Sequence, residues 1–324
     1  MIEKFKLDEL NKRLLYELNY NCRQSDKQIA KKLRSSKQVI RYRIKKLENA
    51  KIITAYNAII DFRALGFTSL RMYLKLQNTT PKIEQEISNY IKQNDIFLWS
   101  VNFEGDIDIA FYVWVKKVDE FYSQWEEFFN LYGKYILKQE LFLSINMIHY
   151  PMKLFYKPKN IEVWNIGENK SQISINELDL YILKILSRNA NNSLVEIAKK
   201  VNSSTNVVAY RIKQLESKKI ILAYNAIIDE KKIGYLFYKI DFYLQSHTKL
   251  TDMYEFARQH SNIKNIMKTI GGPDFEIEVL VKDVSKLHEL INEIKTKFSE
   301  NIKHWRYNRI TKTIKQVYLP IDFK

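Results

Sequence analysis

One seven-residue segment occurs twice in the chain, and this repeat constrains the fold more than any other feature of the sequence. Residues 55–61 and 223–229 both read Ala-Tyr-Asn-Ala-Ile-Ile-Asp, 168 positions apart. The same offset superposes the Tyr-Arg-Ile-Lys of residues 42–45 on that of residues 210–213. Self-similarity at a fixed offset indicates a duplicated unit. We therefore predict two copies of one unit, whose identity is high up to Gly66 and fades beyond it.

Each copy opens with a pattern of three short amphipathic helices. In the first copy Asp8, Ser25 and Ser36 stand where helix N-caps are expected, and Gln28 completes a capping box with Ser25. Apolar residues recur at spacings of three and four along the helices: Leu10, Leu14, Leu15 and Leu18, then Ile29, Ala30 and Leu33, then Ile40, Ile44 and Leu47. A β-rich segment at residues 52–61 follows at once, and we expect it to form a hairpin-like wing. Three helices with such a wing make a winged helix-turn-helix.

The outward face of the third helix carries side chains that suit the base edges of DNA. Arginine and lysine donate to guanine, and glutamine pairs with adenine. Lysine and arginine also occur on ordinary solvated helices, but the second helix is basic as well, so we predict that the third helix enters the major groove of double-stranded DNA. The candidate contact residues are Ser36, Lys37, Gln38, Arg41, Tyr42 and Lys45 in the first copy and Ser204, Thr205, Asn206, Tyr210 and Lys213 in the second. Because the two faces differ, we expect them to read different bases.

The charge of the chain is consistent with a polyanionic partner. Its net charge is +16, from 53 Lys and Arg against 37 Asp and Glu; each phosphate neutralised releases a counterion, although a biased overall composition would also give this excess. Residues 22–51 hold eleven Lys or Arg and two acidic residues, whereas residues 190–219 hold six and two. Our hypothesis is that the first copy supplies most of the phosphate affinity and the second contributes a distinct half-site.

The second half of each copy changes from a helical period to a period of two. Met72, Leu74 and Leu76 alternate with Arg71 and Tyr73, which is typical of a half-buried strand. The segments that follow in the first copy are a helix from Pro81, strands at 96–103 and 107–115, a helix around 121–132 and a strand at 136–149; those of the second copy lie at 235–245, 249–260, 263–270, 274–281, 284–299 and 302–319. The order βαββαβ predicts a four-stranded antiparallel sheet with both helices on one face, a ferredoxin-like fold.

The face of this sheet away from the helices carries a large aromatic surface. In the first copy it would hold Trp99, Tyr112 and Trp114, which is too much apolar area to leave in water. We infer that two sheets pair through this face, either between the two copies or between two chains. Shielding by the segment that links the copies is the alternative.

Cysteine content and apolar runs exclude several classes of protein. Cys22 is the single cysteine, so an internal disulfide is excluded, and there is no Cys/His cluster spaced for zinc. We expect no metal and no cofactor, and no P-loop or nucleophile–base motif indicates an enzyme. Residues 1–6 form a short tail without the apolar core of a signal peptide, and no run approaches the ~20 apolar residues of a membrane span. We expect a soluble, cytoplasmic protein with no membrane partner.

Together these residues resemble the Lrp/AsnC (feast/famine) family of prokaryotic transcription regulators. The pattern that carries the resemblance is Ser36, residues 42–48, Ile52-Ile53, residues 56–58, Asp61 and Gly66, echoed in the second copy. The family also has a Gly-x-x-Asp turn between strands two and three of its α+β domain. This turn is matched by residues 105–108 and 271–274.

The resemblance implies a function for the α+β domains. In the family these RAM-type sensor domains mediate dimerisation and higher assembly, and small ligands, often amino acids, bind near the Gly-x-x-Asp turns between subunits. The effector-site candidates are therefore Gly105, Asp108, Gly271 and Asp274, and we expect homo-oligomers of chains that are themselves pseudo-dimers. A glycine in such a turn also simply permits a tight hairpin.

The chain departs from the family pattern at one turn. The glycine usually found just before the Ile-Ile of the wing is Lys51 here and Lys219 in the second copy. Asn49, which tolerates a left-handed backbone, is expected to make the turn instead.

Two other functions fit the same architecture. Siroheme decarboxylases are tandem chains that resemble these regulators, and they need histidines and arginines clustered in the sensor cavity. The five histidines here belong to no His-x-Tyr-x-Arg-like run on the second or third strand; they are His149, His247, His260, His288 and His304. A non-specific architectural DNA-binding protein is the third candidate.

The predicted organisation is an α+β chain with two copies of one unit, each a winged helix-turn-helix followed by a ferredoxin-like sensor domain. Pro151 and Pro158 bracket a polar stretch between the copies that is typical of a linker. The predicted ranges are 1–61 and 175–229 for the DNA-binding domains, 66–150 and 234–320 for the sensor domains, and 151–174 for the linker.

Overall fold

The computed structural model describes residues 7–158, 160–169 and 171–319, so the tail predicted at residues 1–6 lies outside the described residues. The first copy consists of α1 (Glu9–Tyr20), α2 (Asp26–Leu33), α3 (Lys37–Asn49), β1 (Ile53–Ile60), β2 (Thr68–Leu76), α4 (Pro81–Gln93), β3 (Phe97–Glu104), β4 (Ile109–Val115), α5 (Val118–Tyr132) and β5 (Ile136–His149). The linker contains β6 (Trp164–Ile166). The second copy consists of α6 (Glu177–Arg188), α7 (Leu194–Lys200), α8 (Thr205–Ser217), β7 (Ile221–Ile228), β8 (Leu236–Leu244), α9 (Leu250–Gln259), β9 (Ile263–Ile270), β10 (Phe275–Val281), α10 (Val284–Phe298) and β11 (Ile302–Gln316). Within the described ranges, no helix has the length and apolar content needed to cross a membrane.

The helix starts predicted from the sequence are confirmed. The side chains of Asp8, Ser25 and Ser36 each accept a hydrogen bond from a backbone N–H in the first turn of their helix. Gln28 completes the capping box at Ser25 by accepting from the Ser25 N–H at 2.8 Å. Each such cap contributes about 1 kcal/mol by satisfying a donor that the helix leaves open. The local sequence therefore sets the three helix boundaries of each headpiece, as we call residues 7–61 and 175–229.

The predicted hairpin-like wing is wrong, because β1 pairs with its twin in the other copy. β1 and β7 form a separate two-stranded antiparallel sheet, here called the wing ribbon, in which Asn57 lies opposite Asn225. A lone strand has two edges of unpaired N–H and C=O groups, and the repeated sequence supplies a partner of matching pattern. The segment after β1 turns directly into β2, so it provides no second wing strand.

The two headpieces interlock across this ribbon. The backbone N–H of Cys22 donates to the carbonyl of Tyr224 at 2.9 Å, and Ala190 N–H donates in the same way to Tyr56 at 2.7 Å. The Asn19 side chain donates to the carbonyl of Ala226 at 3.1 Å. The apolar residues of both headpieces form one continuous core. The headpieces are therefore a single body related by a pseudo-two-fold axis through the ribbon.

Lysines occupy the left-handed turn where the family usually has glycine. Lys51 has φ +55° and Lys219 has φ +53°, whereas Asn49 is helical, so the expectation for Asn49 is wrong. The turn closes the helix because Lys51 N–H donates to Glu48 and Ile52 N–H to the Leu47 carbonyl, both at 2.9 Å. These two hydrogen bonds hold the backbone of Lys51 in the left-handed region, which is energetically unfavourable for a residue with a Cβ.

The α+β domain of each copy has the predicted βαββαβ fold, and the two sheets join into one. The strand orders are β5–β2–β4–β3 and β11–β8–β10–β9, and the pairs β11–β3 and β5–β9 connect them edge to edge. The eight strands close on themselves, so we call this the closed sheet; β6 of the linker adds to β5. The sheets of the two copies pair within one chain, which is one of the two arrangements inferred, but they pair through their strand edges and not through the aromatic face.

The inner face of the closed sheet holds buried charges. β2 is buried on both faces and is not the half-buried strand predicted, because Arg71 and Tyr73 are enclosed there. The Arg71 guanidinium pairs with both carboxylate oxygens of Glu276 on β10. Arg306 on β11 bridges the copies in the other direction and donates to Glu140 at 2.7 Å and 3.2 Å. Removing one partner of such a pair leaves a buried charge and costs ~3–5 kcal/mol, which favours this one pairing of the copies.

The strained turn gives a first testable expectation. Replacing Lys51 by glycine should raise the free energy of unfolding by ~0.5–1 kcal/mol, because glycine adopts φ +55° without strain. This relief of strain exceeds the entropy cost of the more flexible glycine in the unfolded chain. Denaturant unfolding of the whole chain measures this change. Lys51→Ala is the matched control and should give no such gain, since alanine keeps the Cβ. A glycine variant less stable than the alanine variant would contradict the explanation.

Candidate nucleic-acid interface and central cavity

Helix α3 presents its predicted contact face to solvent. Ile40 and Leu47 are buried on the opposite side, in the core of the headpiece, and Ile44 is half-buried beside them. Tyr42 on the outer side is 67% exposed. Every contact residue predicted in the first copy is exposed: Ser36, Lys37, Gln38, Arg41, Tyr42 and Lys45. The apolar stripe thus fixes the helix with its polar face outward.

Arg43, next to this face, makes contacts within the headpiece. Arg43 donates to Asp8 at 2.7 Å and to Asn11 at 3.0 Å, which ties α3 to the start of α1. Arg211 in α8 forms the equivalent pair with Asp179. Within the part of the chain that the structure describes, Arg41 has neither a hydrogen bond nor an ion pair, so its guanidinium is available to a ligand.

Helix α8 presents a similar face with weaker charge. Its predicted residues are all exposed, with Tyr210 at 58%: Ser204, Thr205, Asn206, Tyr210 and Lys213. Ala209 stands where α3 has Arg41, and Thr205 stands where α3 has Lys37. Both helices therefore face outward, and they differ in the donors they offer.

The four effector candidates lie in two separate turns. Gly105 (φ +139°) and Gly271 (φ +83°) adopt backbone conformations that favour glycine. The Asp108 carboxylate accepts from the Leu76 N–H at 2.7 Å and from Lys75 at 3.0 Å.

The second of these turns has the same local pairing. Asp274 accepts from the Leu244 N–H at 2.7 Å and contacts His247 at 3.0 Å. In both turns the carboxylate fastens the hairpin to the neighbouring strand of its own copy. The Gly105 carbonyl also accepts from Lys75 at 2.9 Å, and Asn308 of the second copy packs against this glycine, so the turn at Gly271 is the less crowded of the two.

A central cavity, which the sequence did not predict, lies between the closed sheet and the wing ribbon. Its volume is about 570 Å³. Thr54 of β1 and Asn225 of β7 line it from the ribbon, and Trp99, Tyr112 and Trp114 line it from the sheet. The aromatic face predicted from the sequence is therefore one wall of this cavity, and the rings of Trp99 and Tyr112 lie 4.7 Å apart.

Three polar side chains lie in a row at the buried end of the cavity. His149, Asn265 and Glu278 stand side by side on β5, β9 and β10 because these strands pair in register. Asn265 donates to Glu278 at 2.6 Å, so its oxygen is the acceptor for the His149 Nδ1–H at 2.5 Å. Burial raises the pKa of Glu278, against the effect of the Asn265 bond. Burial, with Lys264 nearby, lowers the pKa of His149 to about 3.

Comparisons with known proteins match both headpieces and the whole architecture. The AsnC-type helix-turn-helix domain matches residues 7–48, and a winged helix-turn-helix DNA-binding domain matches residues 175–221. The helix-turn-helix-type transcriptional regulator LrpA of Pyrococcus horikoshii is 31% identical over 118 residues, which are 36% of this chain and 84% of that protein. LrpB of Bacillus subtilis is 28% identical, over 38% of this chain and 82% of its own length. An uncharacterised regulator of this type from Pyrococcus furiosus is 30% identical over 40% and 85%.

Two solved structures of one protein match nearly the full chain. The siroheme decarboxylase NirDL superposes on 97% of this chain and 94% of its own, with a TM-score of 0.65 and 12% identity. At this identity the match shows a likeness of fold alone. It does show that the complete tandem arrangement, and not one copy of it, occurs in another solved protein.

The buried histidine predicts a pH dependence of stability. The pKa of His149 in the folded chain is about 3, below the ~6.5 of an unfolded histidine. Between these two pH values the histidine is protonated in the unfolded chain and neutral in the folded chain. Stability from this group is present above pH ~6.5 and is lost as the pH falls toward 3, by at most ~1.4 kcal/mol per pH unit. Denaturant unfolding between pH 7 and 5 should show a flatter slope for His149→Gln. His304→Gln, at an exposed histidine, is the control; parallel slopes for His149→Gln and the wild type would contradict this assignment.

Proposed function

Since the chain belongs to the Lrp/AsnC family of helix-turn-helix transcriptional regulators, we propose that it binds duplex DNA in a sequence-specific manner through α3 and α8. The single observation that carries this proposal is the outward face of α3, where Arg41 and Lys45 are exposed beside the basic helix α2. Exposed arginine and lysine on the outer face of such a helix suit the guanine edge in the major groove. We propose that Ser36 and Lys37 at the N-terminus of α3 contact phosphate oxygens.

The operator that we propose is asymmetric. The wing ribbon relates α3 and α8 by a pseudo-two-fold axis, which would suit an inverted repeat if the helices were alike. Their outer faces differ, so the two half-sites should differ as well. The greater charge of the first headpiece makes it the main source of phosphate affinity.

Assembly and an amino-acid-like effector belong to the same proposal. Leu137, Leu141 and Ile270 are exposed, and the Leu141 carbonyl lies 3.8 Å from where a Cβ of Gly271 would stand. Exposed apolar side chains in one place favour contact with another chain. A second chain docked here would bring its own surface to the Gly271 turn. We propose that such homo-oligomers form in the cytoplasm and that a small effector binds at these turns.

Binding of selected DNA tests this function. Duplexes selected from a random pool by the full chain should bind more tightly than shuffled duplexes, by ~10³-fold or more at moderate salt. Arg41→Ala and Lys45→Ala should each weaken binding to the selected duplex by ~1–3 kcal/mol, that is ~5- to 150-fold. Fluorescence anisotropy measures both affinities.

Matched variants separate base reading from charge. Lys92→Ala, at an exposed lysine of α4, removes one positive charge far from the headpieces in sequence and should leave binding unchanged. Lys213→Ala should reduce affinity less than Lys45→Ala, because the second headpiece carries less charge. Equal affinity for selected and shuffled duplexes would indicate an architectural DNA-binding protein and contradict sequence-specific regulation.

The full-length likeness to NirDL gives one second candidate, a decarboxylase-like tetrapyrrole enzyme. We propose that the chain is not such an enzyme. Within the described residues that line the central cavity, His149 is the one histidine and Arg309 the one arginine, and His149 is held neutral in the sheet. Incubation with siroheme should therefore yield no decarboxylated tetrapyrrole, as measured by the absorbance spectrum of the pigment after extraction from the protein. Conversion to a new spectrum would favour the enzyme.

A further inference from the structure

The walls of the central cavity suit an aromatic molecule. Trp99, Tyr112 and Trp114 lie on strands in the middle of the closed sheet, yet all three are half-buried and not fully enclosed. Their remaining exposed surface faces the cavity, since they line it. Aromatic rings prefer offset or edge-on ring partners at separations of about 4.5–7 Å. Half-exposed rings at the centre of a sheet are a costly surface to leave open to water.

The inner end of the cavity is lined by polar side chains. His149, Asn265 and Glu278 are buried there, and Asn225 of the wing ribbon is buried on the opposite side. The Nε2 atom of His149 and the Oδ1 atom of Asn225 are buried acceptors without a hydrogen-bond partner in the described structure. A buried acceptor left unpaired costs ~1–3 kcal/mol. Both atoms are inaccessible, so they lie beneath the cavity wall, and an occupant meets this end as a polar surface.

The outer end of the cavity is positive. Lys231 and Lys312 line it and are exposed. Arg309 also lines it and is paired with Glu104 at 3.3 Å. The pair Lys264–Glu230, at 2.6 Å, also lines the cavity and is neutral as a unit. Among the described residues of this end, Asp229 is the one acidic group outside an ion pair, so the two lysines Lys231 and Lys312 outnumber it.

From this gradient we propose that the central cavity is a binding site for an aromatic anion, a flat apolar ring system that carries a carboxylate or a similar acidic group. The ring would pack against Trp99 and Tyr112, and the acidic group would lie at Lys231 and Lys312. The volume of about 570 Å³ is in the ~300–1,000 Å³ range of small-molecule pockets. This site is distinct from the Gly-x-x-Asp turns, because no residue of either turn lines the cavity in the described structure.

An occupant of the cavity would touch both bodies of the molecule. Thr54 and Ile59 of β1 and Ile227 of β7 line the cavity from the ribbon that carries the two headpieces, and the closed sheet lines it from the other side. A ligand that contacts both bodies stabilises one placement of the headpieces over others. The site is therefore an effector site. This regulatory role rests on the proposed function, whereas binding of the aromatic anion does not.

Fluorescent probe binding to the full chain tests the site. The aromatic sulfonate 8-anilino-1-naphthalenesulfonate should bind with a stoichiometry of one per chain, and more tightly than the neutral N-phenyl-1-naphthylamine. The double variant Lys231→Glu/Lys312→Glu should weaken binding of the sulfonate about tenfold or more and change that of the neutral probe by less than about twofold. Lys303→Glu is the matched control, because Lys303 is an exposed lysine of β11 outside the cavity and should leave both affinities unchanged.

A second variant tests the site without changing charge. Thr54 is exposed and lines the cavity, so Thr54→Trp should fill its outer part and weaken both probes. Sulfonate binding that is insensitive to both Thr54→Trp and the double lysine variant would overturn the proposal.

The DNA affinity of the same chain, measured with and without saturating sulfonate, tests the regulatory role. A change of a few-fold or more supports an effector site, and identical affinities overturn that role. A chain that binds the probe at this cavity but binds no duplex would contradict the proposed function and leave the ligand site standing.

Discussion

The antiparallel pairing of β1 with β7 is the interaction on which the rest of the structure depends. The two identical segments pair with Asn57 opposite Asn225. Each strand supplies hydrogen-bond partners for the backbone N–H and C=O groups along the edge of the other. This pairing replaces a local wing by a shared one and joins the two headpieces into a single core. It also fixes α3 relative to α8 and provides one wall of the central cavity. A change that separates the ribbon would therefore affect DNA reading and the cavity together.

The two copies carry different residues at corresponding positions in the interior of the closed sheet. Where the first copy has Ala110 and Tyr112, the second has Glu276 and Glu278 at the corresponding strand positions. Glu276 there meets Arg71 across the sheet. Such a complementary interior is stable only when a first copy meets a second copy, because two identical copies would place like groups together. Fusion in one chain guarantees that encounter, and it leaves the reading helices free to diverge.

The parts of this fold that depend on short-range sequence patterns were predictable. The caps at Asp8, Ser25 and Ser36, the exposed face of α3 and the βαββαβ order all follow from short-range patterns. The parts that depend on the encounter of the two copies were not. The wing lacked its partner in local sequence, Arg71 looked like a solvent-facing residue, and the row of His149, Asn265 and Glu278 exists only once β5 crosses to β9. The aromatic face at Trp99 and Tyr112 was the one signal of this encounter in the sequence.

The central claim is that the outer faces of α3 and α8 read bases, and exchanging one face for the other tests it most directly. Among the contact residues predicted for α3, three are replaced in α8 at the offset of 168 residues. The substitutions Thr205→Lys, Asn206→Gln and Ala209→Arg therefore give α8 the face of α3. Selection of duplexes from a random pool by this triple variant should yield an inverted repeat of the half-site that α3 reads. Selection of the same asymmetric operator as the unaltered chain would contradict the claim.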